Sequence, residues 1–324
     1  MNETLHELAC ALRAAEDILL IAHVSPDGDT CGSALALRRA LVSMGKQVRV
    51  ACENPVPRIY ADLDGAETVC APEAWAGHVF DLAVAVDVSD VGRLGACAAL
   101  FDAARDTAQI DHHATNPGYA RINCIRSPLS ATGVLVGELL ELLGVPLDMP
   151  TARCLFVAVA TDTGNFKQCN TDAAALRLAA RCVEAGIDVS DISRRVFDLR
   201  PLAQTRLIGR ALESMEILGG GSVAVMRLTQ EDFDRCGALG EHTEGIINFG
   251  INTEGVAMAC LLSQRGDAVK GSMRSLRPYN VARVAMALGG GGHEQAAGFT
   301  CKAPMEDVCA RVQQLLLAER EHHG

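Results

Sequence analysis

The sequence is poor in aromatic and in basic side chains. Phe, Trp and Tyr make up 4% of its 324 residues, and 29 Lys and Arg stand against 40 Asp and Glu, a net charge of −11. Proteins that hold long single strands stack bases on repeated aromatic side chains and meet the phosphates with a basic surface. The composition therefore argues against long nucleic acid as a ligand. We expect a phosphate ligand to be small, or to be held by metal ions and a local arginine cluster.

Cysteine pairs and long apolar runs are also missing. The 13 cysteines are scattered singly from Cys10 to Cys309 without a CxxC motif, which argues against a disulfide framework or a structural zinc site. No apolar run approaches the roughly 20 residues that span a bilayer, and the acidic N-terminal stretch lacks the features of a signal peptide. These features predict reduced thiols, no membrane span and a cytoplasmic location.

The chain length and the 49% hydrophobic content suit two packed domains. In the first half, short apolar runs alternate with amphipathic stretches such as Cys31–Ser43 and Gly133–Leu143. This alternation predicts an α/β fold with a mostly parallel, doubly wound sheet and helices on both faces. The predicted strands are Ile18–Ala22, Val48–Ala51, Leu82–Val86, Ala108–Ile110 and Leu155–Ala160.

The pattern changes at a charged helical stretch, Val189–Leu218, which is followed by glycines and a predicted strand, Ser222–Leu228. Few residues in this stretch favour a strand, so it is typical of a linker followed by a connecting helix. We predict a first domain over residues 1–188, the linker or connecting helix over residues 189–214, and a smaller α/β domain over residues 215–324.

Four of the predicted strands lead into Asp or His at their carboxyl ends. In a parallel sheet these ends share one crevice, where such folds bind ligands. A single Asp after a strand is an ordinary helix cap, but this many converging carboxylates and imidazoles would cost several kcal/mol in desolvation and repulsion without a cation. The sequence therefore predicts a divalent metal centre. The candidate residues are His23, Asp27, Asp29, Asp87, Asp111, His112, His113 and Asp162.

The mixture of carboxylates and imidazoles without thiolates favours Mn²⁺, with Mg²⁺, Co²⁺ or Fe²⁺ as substitutes. Asp27 and Asp29 are two residues apart on a glycine-containing loop, so they can reach different ions. Two metals roughly 3.5–4 Å apart clamp a phosphoryl group and ionise a water at neutral pH. The centre therefore predicts hydrolysis of a phosphate ester.

The second domain carries two candidate phosphate-binding features. Ser272 and Arg274 alternate on a predicted strand and so share one face, and arginine binds phosphate in a bidentate manner. Downstream, Gly290, Gly291 and Gly292 precede His293. Exposed backbone amides at glycines cradle phosphate, and the apolar AAGF that follows argues against a free linker.

The motifs HVSPDGDTCGS, VDVSDVGRLG, DHH at 111–113 and ATDTGNF resemble, in order, the four motifs of the DHH phosphoesterase superfamily. The segment GGGGHEQAAGF resembles the signature of the DHH-associated domain. The resemblance covers nearly the whole chain. It implies a DHH catalytic domain, a DHH-associated substrate-binding domain and a cleft between them that closes on the substrate, with a hinge in Val189–Leu218. Glu294 departs from the family pattern, which often has basic residues after the glycine-rich His.

The resemblance also implies roles for individual residues. It assigns one metal to His23, Asp27 and Asp87, and the second metal to Asp29, Asp87, His112 and Asp162, with Asp87 bridging. Asp111 would orient a histidine, and His113 would hydrogen-bond the scissile phosphate, so the expected catalytic residues are His113, Asp111 and Asp87. The expected substrate contacts are Arg274, Ser275, Gly290, Gly291, Gly292 and His293, with residues 241–255 near the entrance.

Among DHH proteins, the short two-domain form is similar to bifunctional oligoribonucleases that also hydrolyse 3′-phosphoadenosine 5′-phosphate. The resemblance thus implies a Mn²⁺-dependent hydrolase that converts very short RNA to mononucleotides and the bisphosphate nucleotide to AMP, and it implies a homodimer. Two alternatives stay open: a phosphodiesterase for cyclic di-AMP or linear dinucleotides, and a nucleotide sensor without turnover. The Ser-Met-Arg-Ser strand counts against a family II pyrophosphatase. The sequence leaves open the preferred substrate, the direction of attack on RNA and the physiological metal.

Overall fold

The computed structural model describes residues 3–322, apart from the side chain of Arg265. The chain divides into two compact units, with the boundary between Leu199 and Arg200. The segment predicted as a linker, residues 189–214, is thus divided between the two units. Residues 1 and 2 of the first predicted domain and residues 323 and 324 of the second lie outside the described residues.

The described part of the first unit contains one parallel sheet. Its strands are β1 (Asp17–Ala22), β2 (Gln47–Ala51), β3 (Val69–Cys70), β4 (Leu82–Val86), β5 (Thr107–Asp111) and β6 (Ile122–Ile125). They lie in the order β3-β2-β1-β4-β5-β6. The order reverses beside β1, so that β1 and β4 pair in the middle of the sheet, with Ile18 opposite Leu82. The predicted doubly wound parallel sheet is confirmed.

Helices cover both faces of this sheet. They are α1 (Glu3–Ala14), α2 (Gly28–Ser43), α3 (Ala98–Ala103), α4 (Thr132–Leu143), α5 (Met149–Asp162), α6 (Ala173–Glu184) and α7 (Val189–Ser193). Ile18 and Leu20 of β1 pack in the core formed with α1, α2, α4 and α5. Leu19 and Ile21 point to the opposite face, where Phe101 of α3 packs. The alternation of a strand thus places successive apolar residues in two separate cores.

The predicted strand Leu155–Ala160 is wrong, because these residues lie within α5. Every residue from Cys154 to Ala160 is buried, so the helix has no polar face and its apolar run is indistinguishable from that of a buried strand. Glycines allow α5 to approach its neighbours closely. A Cβ atom at Gly32 of α2 would overlap the carbonyl oxygen of Cys154, and one at Gly133 of α4 would overlap the Ala158 side chain.

The charged stretch Val189–Leu218 is helical in part. It contains α7, a π-helical turn over Arg194–Asp198, helix α8 (Leu202–Glu213) and strand β7 (Glu216–Leu218). Arg195 in the turn pairs with Asp62 of the first unit at 3.1 Å. Helix α8 packs in the second unit, where Leu207 is fully buried. The two parts of the stretch therefore belong to different cores.

The second unit is a mixed sheet with helices on both faces. Its further strands are β8 (Val223–Leu228), β9 (Met258–Arg265), β10 (Ala268–Ser275), β11 (Gly291–His293) and β12 (Ala296–Cys301), in the order β11-β12-β10-β9-β8-β7. Among the described residues of this sheet, β8 and β9 pair in parallel, and the other strand pairs are antiparallel. Its further helices are α9 (Gln230–Cys236), α10 (Ile247–Ile251), α11 (Val281–Met286) and α12 (Met305–Glu321). The predicted second α/β fold and the strand that carries Arg274 are confirmed.

No helix among residues 3–322 combines the length and the apolar content needed to cross a membrane.

Candidate metal centre

The candidate metal-site residues lie at the ends of three strands, at the start of helix α2 and at the end of helix α5. His23 follows β1, and Asp27 caps α2, where its Oδ1 accepts hydrogen bonds from the backbone of Asp29 and Thr30 at 3.0 and 3.1 Å. Asp87 follows β4, and Asp111, His112 and His113 lie at the end of β5. Asp162 is the last residue of α5, so it reaches the centre from a helix rather than from the predicted strand.

The backbone at Asp87 is in an uncommon conformation. Its φ is +61°, in the left-handed region that a non-glycine residue seldom adopts. The Asp87 amide donates a hydrogen bond to the carbonyl of Ile110 at 2.9 Å, which holds this conformation at the junction of β4 and β5. Such strain persists where the surrounding structure enforces it, typically at a functional site.

The side chains form two groups that share Asp87. In the first, His23 Nε2 lies 3.5 Å from Asp27 Oδ2 and 3.7 Å from Asp87 Oδ2. In the second, His112 Nε2 lies 3.2 Å from Asp162 Oδ2, 3.9 Å from Asp29 Oδ2 and 3.7 Å from Asp87 Oδ1. Asp87 therefore presents one carboxylate oxygen to each group. The structure thus brings together the residues that the sequence resemblance names as metal ligands.

The histidines present a lone pair to these carboxylates. Nδ1 of His23 lies 2.8 Å from the carbonyl of Val24, and Nδ1 of His112 lies 3.0 Å from the carbonyl of Leu129. With the proton on Nδ1, each ring donates to its carbonyl and leaves Nε2 as the acceptor, the form in which an imidazole binds a cation. His23 Nε2 is buried without a hydrogen-bond donor among the described residues. A buried acceptor that faces carboxylates fits a divalent cation, since the cation satisfies all of them.

Burial makes the shared negative charge costly. Asp29 is 0% exposed and Asp87 is 2% exposed. Burial, and next the charge of Asp162, raises the pKa of Asp29, while burial and next the charge of Asp29 raises the pKa of Asp87. Burial also raises the pKa of Asp162. It is therefore unfavourable for all three carboxylates to be ionised at the same time. A cation bound between them would offset their mutual repulsion and the cost of burial.

The start of helix α4 holds two of the buried carboxylates, Asp29 and Asp87. The amides of Thr132 and Gly133 donate to the two oxygens of Asp29 at 2.6 and 2.9 Å, and the Thr132 hydroxyl donates to Asp87 Oδ1 at 2.8 Å. Ala131 at the N-cap of α4 supplies no side-chain hydrogen bond, so the Asp29 carboxylate satisfies the free amides of the helix. Sequence reasoning missed Thr132. The sequence signal that could have pointed to this helix start is the alanine at its N-cap, which cannot cap the helix with its side chain.

Asp111 and His113 form a pair beside the two groups. Asp111 is fully buried, and its Oδ1 accepts a hydrogen bond from His113 Nδ1 at 2.8 Å. Asn116 donates to the other oxygen of Asp111 at 2.5 Å. The hydrogen bond that His113 donates to Asp111 raises the pKa of His113. Because Asp111 occupies Nδ1, the free Nε2 of this partly exposed histidine is the atom available to a substrate.

In the second unit, Ser272 and Arg274 share one face of β10. Together with Lys270 they line a cavity of about 340 Å³ that also contains Glu241 and Glu244. Arg274 Nη1 donates to the carbonyl of Met273 at 2.9 Å. The cavity is therefore lined by both acidic and basic side chains. Its three β10 residues lie on one face of the strand because side chains alternate along a strand, as predicted.

Ser275 and the glycines are placed differently. Ser275 lies on the buried face of β10, and its hydroxyl is 2.9 Å from the carbonyl of Tyr279 and 3.1 Å from that of Glu294. A Cβ atom at Gly290 would overlap β12, so close packing requires that glycine. Gly291 and Gly292 are exposed, as is His293. A Cβ atom at Gly292 would also overlap β12. Ser275, Gly290 and Gly292 therefore have packing roles, while Gly291 and His293 present free surfaces.

Comparisons with known proteins agree with this arrangement. Residues 17–159 match the DHH family N-terminal domain, and residues 220–318 match the DHHA1 domain. The chain is 32% identical over 321 residues to a Thermus thermophilus protein named bifunctional oligoribonuclease and PAP phosphatase NrnA, covering 98% of this chain and 94% of the relative.

Two solved structures share the fold. An exopolyphosphatase-related protein from Bacteroides fragilis superposes with a TM-score of 0.86 at 24% identity, covering 99% of this chain and 97% of that one. RecJ from Thermus thermophilus in complex with Mn²⁺ gives a TM-score of 0.51 at 16% identity, covering 99% of this chain and 55% of RecJ.

Proposed function

Since the chain belongs to the DHH family and is a hydrolase of phosphate esters, we propose that it is a Mn²⁺-dependent enzyme for very short RNA and for 3′-phosphoadenosine 5′-phosphate. The observation that carries the proposal is the position of Asp87, which offers Oδ2 to the His23 group and Oδ1 to the His112 group. Such a carboxylate is suited to bridge two cations. The described residues fit the ligand sets expected from the sequence, with His23, Asp27 and Asp87 for one cation and Asp29, Asp87, His112 and Asp162 for the other.

Manganese is part of the proposal because of the donor atoms. The two groups combine carboxylate oxygens with imidazole nitrogens and contain no thiolate, a mixture that suits Mn²⁺ better than Ca²⁺ or structural zinc. The RecJ structure that shares the fold was determined with Mn²⁺. When bound, two such cations activate a water for attack and offset the charge of the phosphoryl group.

The residues of the chain would complete the reaction. His113, held protonated at Nδ1 by Asp111, donates from Nε2 to the oxygen of the scissile phosphate that leaves. As the oxygen of the attacking water bonds to phosphorus and its proton is lost to solvent, the phosphorus–oxygen bond to the leaving group breaks and the Nε2 proton of His113 passes to the leaving oxygen. The raised pKa of His113 keeps the donor form present nearer to neutral pH. Asp111 acts as a positioning residue in this scheme.

Several features support a small substrate. The Thermus thermophilus relative acts, by its name, on oligoribonucleotides and on PAP, and this chain covers 94% of it. The net charge of −11 disfavours a long polyanion. We assign the substrate contacts to the second unit, with Arg274 and His293 as the first residues to test. The free state of all 13 cysteines supports a reducing compartment such as the cytoplasm. The homodimer implied by the family resemblance stays a prediction.

The test is turnover by the metal-stripped protein after addition of Mn²⁺, Mg²⁺ or Co²⁺. The substrates are labelled RNAs of two to twenty-four nucleotides, 3′-phosphoadenosine 5′-phosphate and cyclic di-AMP. We expect Mn²⁺ to support rapid hydrolysis of the shortest RNAs and of the bisphosphate nucleotide, with rates that fall as the RNA lengthens. Cleavage of cyclic di-AMP without cleavage of RNA would overturn the substrate assignment.

A pair of variants links the turnover to the metal centre. Asp162→Asn should abolish the Mn²⁺-dependent rate, because it removes a ligand of the His112 group. Asp102→Asn is the matched control, since Asp102 is an exposed carboxylate on α3 of the same unit. Equal loss of activity in both variants would indicate a general effect on the fold.

A further inference from the structure

The loop that follows β4 brings an arginine to the metal centre. Arg93 lies in the segment Val91–Cys97, and its carbonyl accepts a hydrogen bond from the amide of Val24 at 2.9 Å. The amide of Ala96 donates to the Glu53 carboxylate at 2.7 Å. These bonds fix the loop to the carboxyl end of β1, so the position of Arg93 is built into the fold.

The Arg93 side chain shares an atom with a predicted metal ligand. Arg93 Nη2 lies 2.8 Å from His23 Nδ1, and the carbonyl of Val24 also lies 2.8 Å from the same Nδ1. A ring nitrogen either donates or accepts a hydrogen bond, so only one of these two contacts forms at a time. The carbonyl of Val24 and the guanidinium of Arg93 therefore compete for the same ring atom.

Other acceptors for this guanidinium are lacking in the described part of the chain. Among residues 3–322, the guanidinium of Arg93 contacts His23 alone and forms no salt bridge with a carboxylate. Its charge also acts on His113, where it opposes the rise in pKa that the Asp111 hydrogen bond causes. A half-buried arginine that has no carboxylate partner among the described residues thus stands near both His23 and His113.

We propose that Arg93 binds a non-bridging oxygen of the phosphate that is hydrolysed. This inference rests on the proposed function and adds a substrate-binding residue to it. The planar guanidinium donates two parallel hydrogen bonds to phosphate, and phosphoryl transfer develops charge on these oxygens. In a chain of net charge −11, a fixed local cation is also needed to attract an anionic substrate.

The experiment measures binding without turnover. Wild type, Arg93→Gln and Arg93→Lys are titrated by calorimetry first with Mn²⁺ alone, and then, loaded with Mn²⁺, with AMP, the mononucleotide product. Arg93→Gln should bind Mn²⁺ at least as tightly as wild type, because the competing contact to His23 is gone. Its affinity for AMP should fall roughly 10- to 100-fold, the effect of losing a charge-assisted pair of hydrogen bonds. Arg93→Lys should be intermediate.

The control and the contrary outcomes separate the possible roles of Arg93. Arg105→Gln removes an arginine that pairs with Asp81 at the amino end of the strands, away from the metal centre, and it should change neither affinity. Weaker Mn²⁺ binding by Arg93→Gln would show that the residue only positions His23, and unchanged AMP binding would also overturn the inference. Failure of the wild type to hydrolyse any nucleotide would reject the proposed function, while the AMP titrations would still decide on Arg93.

Discussion

The predicted metal ligands of the first unit and the predicted substrate residues of the second unit are held in different ways. Asp29 and Asp87 are buried, and the start of α4 donates hydrogen bonds to both. Arg274 lines an open cavity and donates to the carbonyl of the residue before it, and His293 is exposed. The first set is fixed by the fold, whereas the second is free to adjust to a ligand.

This difference has an energetic consequence. A buried carboxylate that loses a partner keeps its desolvation cost, so changes in the first unit should have large effects. An exposed arginine exchanges a protein partner for water at little cost, so changes in the second unit should weaken substrate binding in smaller steps. The following four predictions test this contrast, in order of decreasing effect.

The largest effect is expected for Asp87→Asn. The substitution removes the charge that faces both ligand groups, and bound metals contribute several kcal/mol to phosphoryl transfer, so kcat should fall by about a thousandfold or more. The measurement is steady-state hydrolysis of 3′-phosphoadenosine 5′-phosphate at saturating Mn²⁺. Asp102→Asn should retain the wild-type rate. A kcat within tenfold of wild type would contradict the bridging role of Asp87.

A smaller effect is expected for Asp111→Asn. Loss of the carboxylate that orients His113 should lower kcat by roughly 10- to 100-fold, as for other residues that hold a site histidine. The hydrogen bond to Asp111 raises the pKa of His113, and the rate depends on the protonated donor. The fall in rate at high pH should therefore move to lower pH in the variant. A pH–rate profile measures this shift, and an unchanged high-pH limb would exclude His113 as the donor.

Thr132→Val should reduce the affinity for metal rather than the affinity for substrate. The variant keeps the shape of the side chain but removes the hydroxyl that donates to Asp87 at 2.8 Å. We expect about a tenfold weaker Mn²⁺ affinity by calorimetry, since one hydrogen bond to a charged group is lost. Thr253→Val in the second unit is the control, because the Thr253 hydroxyl donates to the nearby carbonyl of Phe249. Equal Mn²⁺ affinities in wild type and Thr132→Val would show that α4 holds Asp29 alone.

The smallest effect is expected in the second unit. Arg274→Gln should raise KM for a dinucleotide by about three- to tenfold, because a partly exposed charged contact is worth little more than 1 kcal/mol. Both kcat and the Mn²⁺ affinity should stay near the wild-type values. Arg283→Gln, at an exposed arginine on α11, serves as the control. A large loss of kcat in Arg274→Gln would remove the contrast between the two units.

The sequence predicted β1, β2, β4 and β5 of the parallel sheet, because these runs are short, apolar and separated by amphipathic stretches, and it missed the two edge strands β3 and β6, which are only partly buried. Leu82–Val86 matches β4 in full. The same reasoning failed for Leu155–Ala160, since a helix buried on all sides has no periodicity to reveal it. Asp162 was still included in the predicted centre, because it follows the apolar run whether that run is a strand or a helix.

The contacts that support the ligands lay beyond reach of the sequence. Thr132 meets Asp29 across more than a hundred residues. The uncapped start of α4 marks a helix end with free amides, but it does not identify Asp29 as their partner. The family resemblance implied Ser275 as a substrate contact beside Arg274, and the structure places these two adjacent residues on opposite faces of the strand. The partner of Ser275 is the backbone near Glu294, which only the strand pairing brings close.

The close packing of α5 against α2 and α4 has a consequence for mutational screens. Gly32 and Gly133 leave no space for a Cβ atom, and the helices they join carry Asp29 and Asp162. In a library of random variants selected for activity, these two glycines should tolerate replacement as poorly as the metal ligands. Their intolerance would arise from helix spacing rather than from chemistry. A map of essential positions for this chain would thus contain architectural positions that contact neither metal nor substrate.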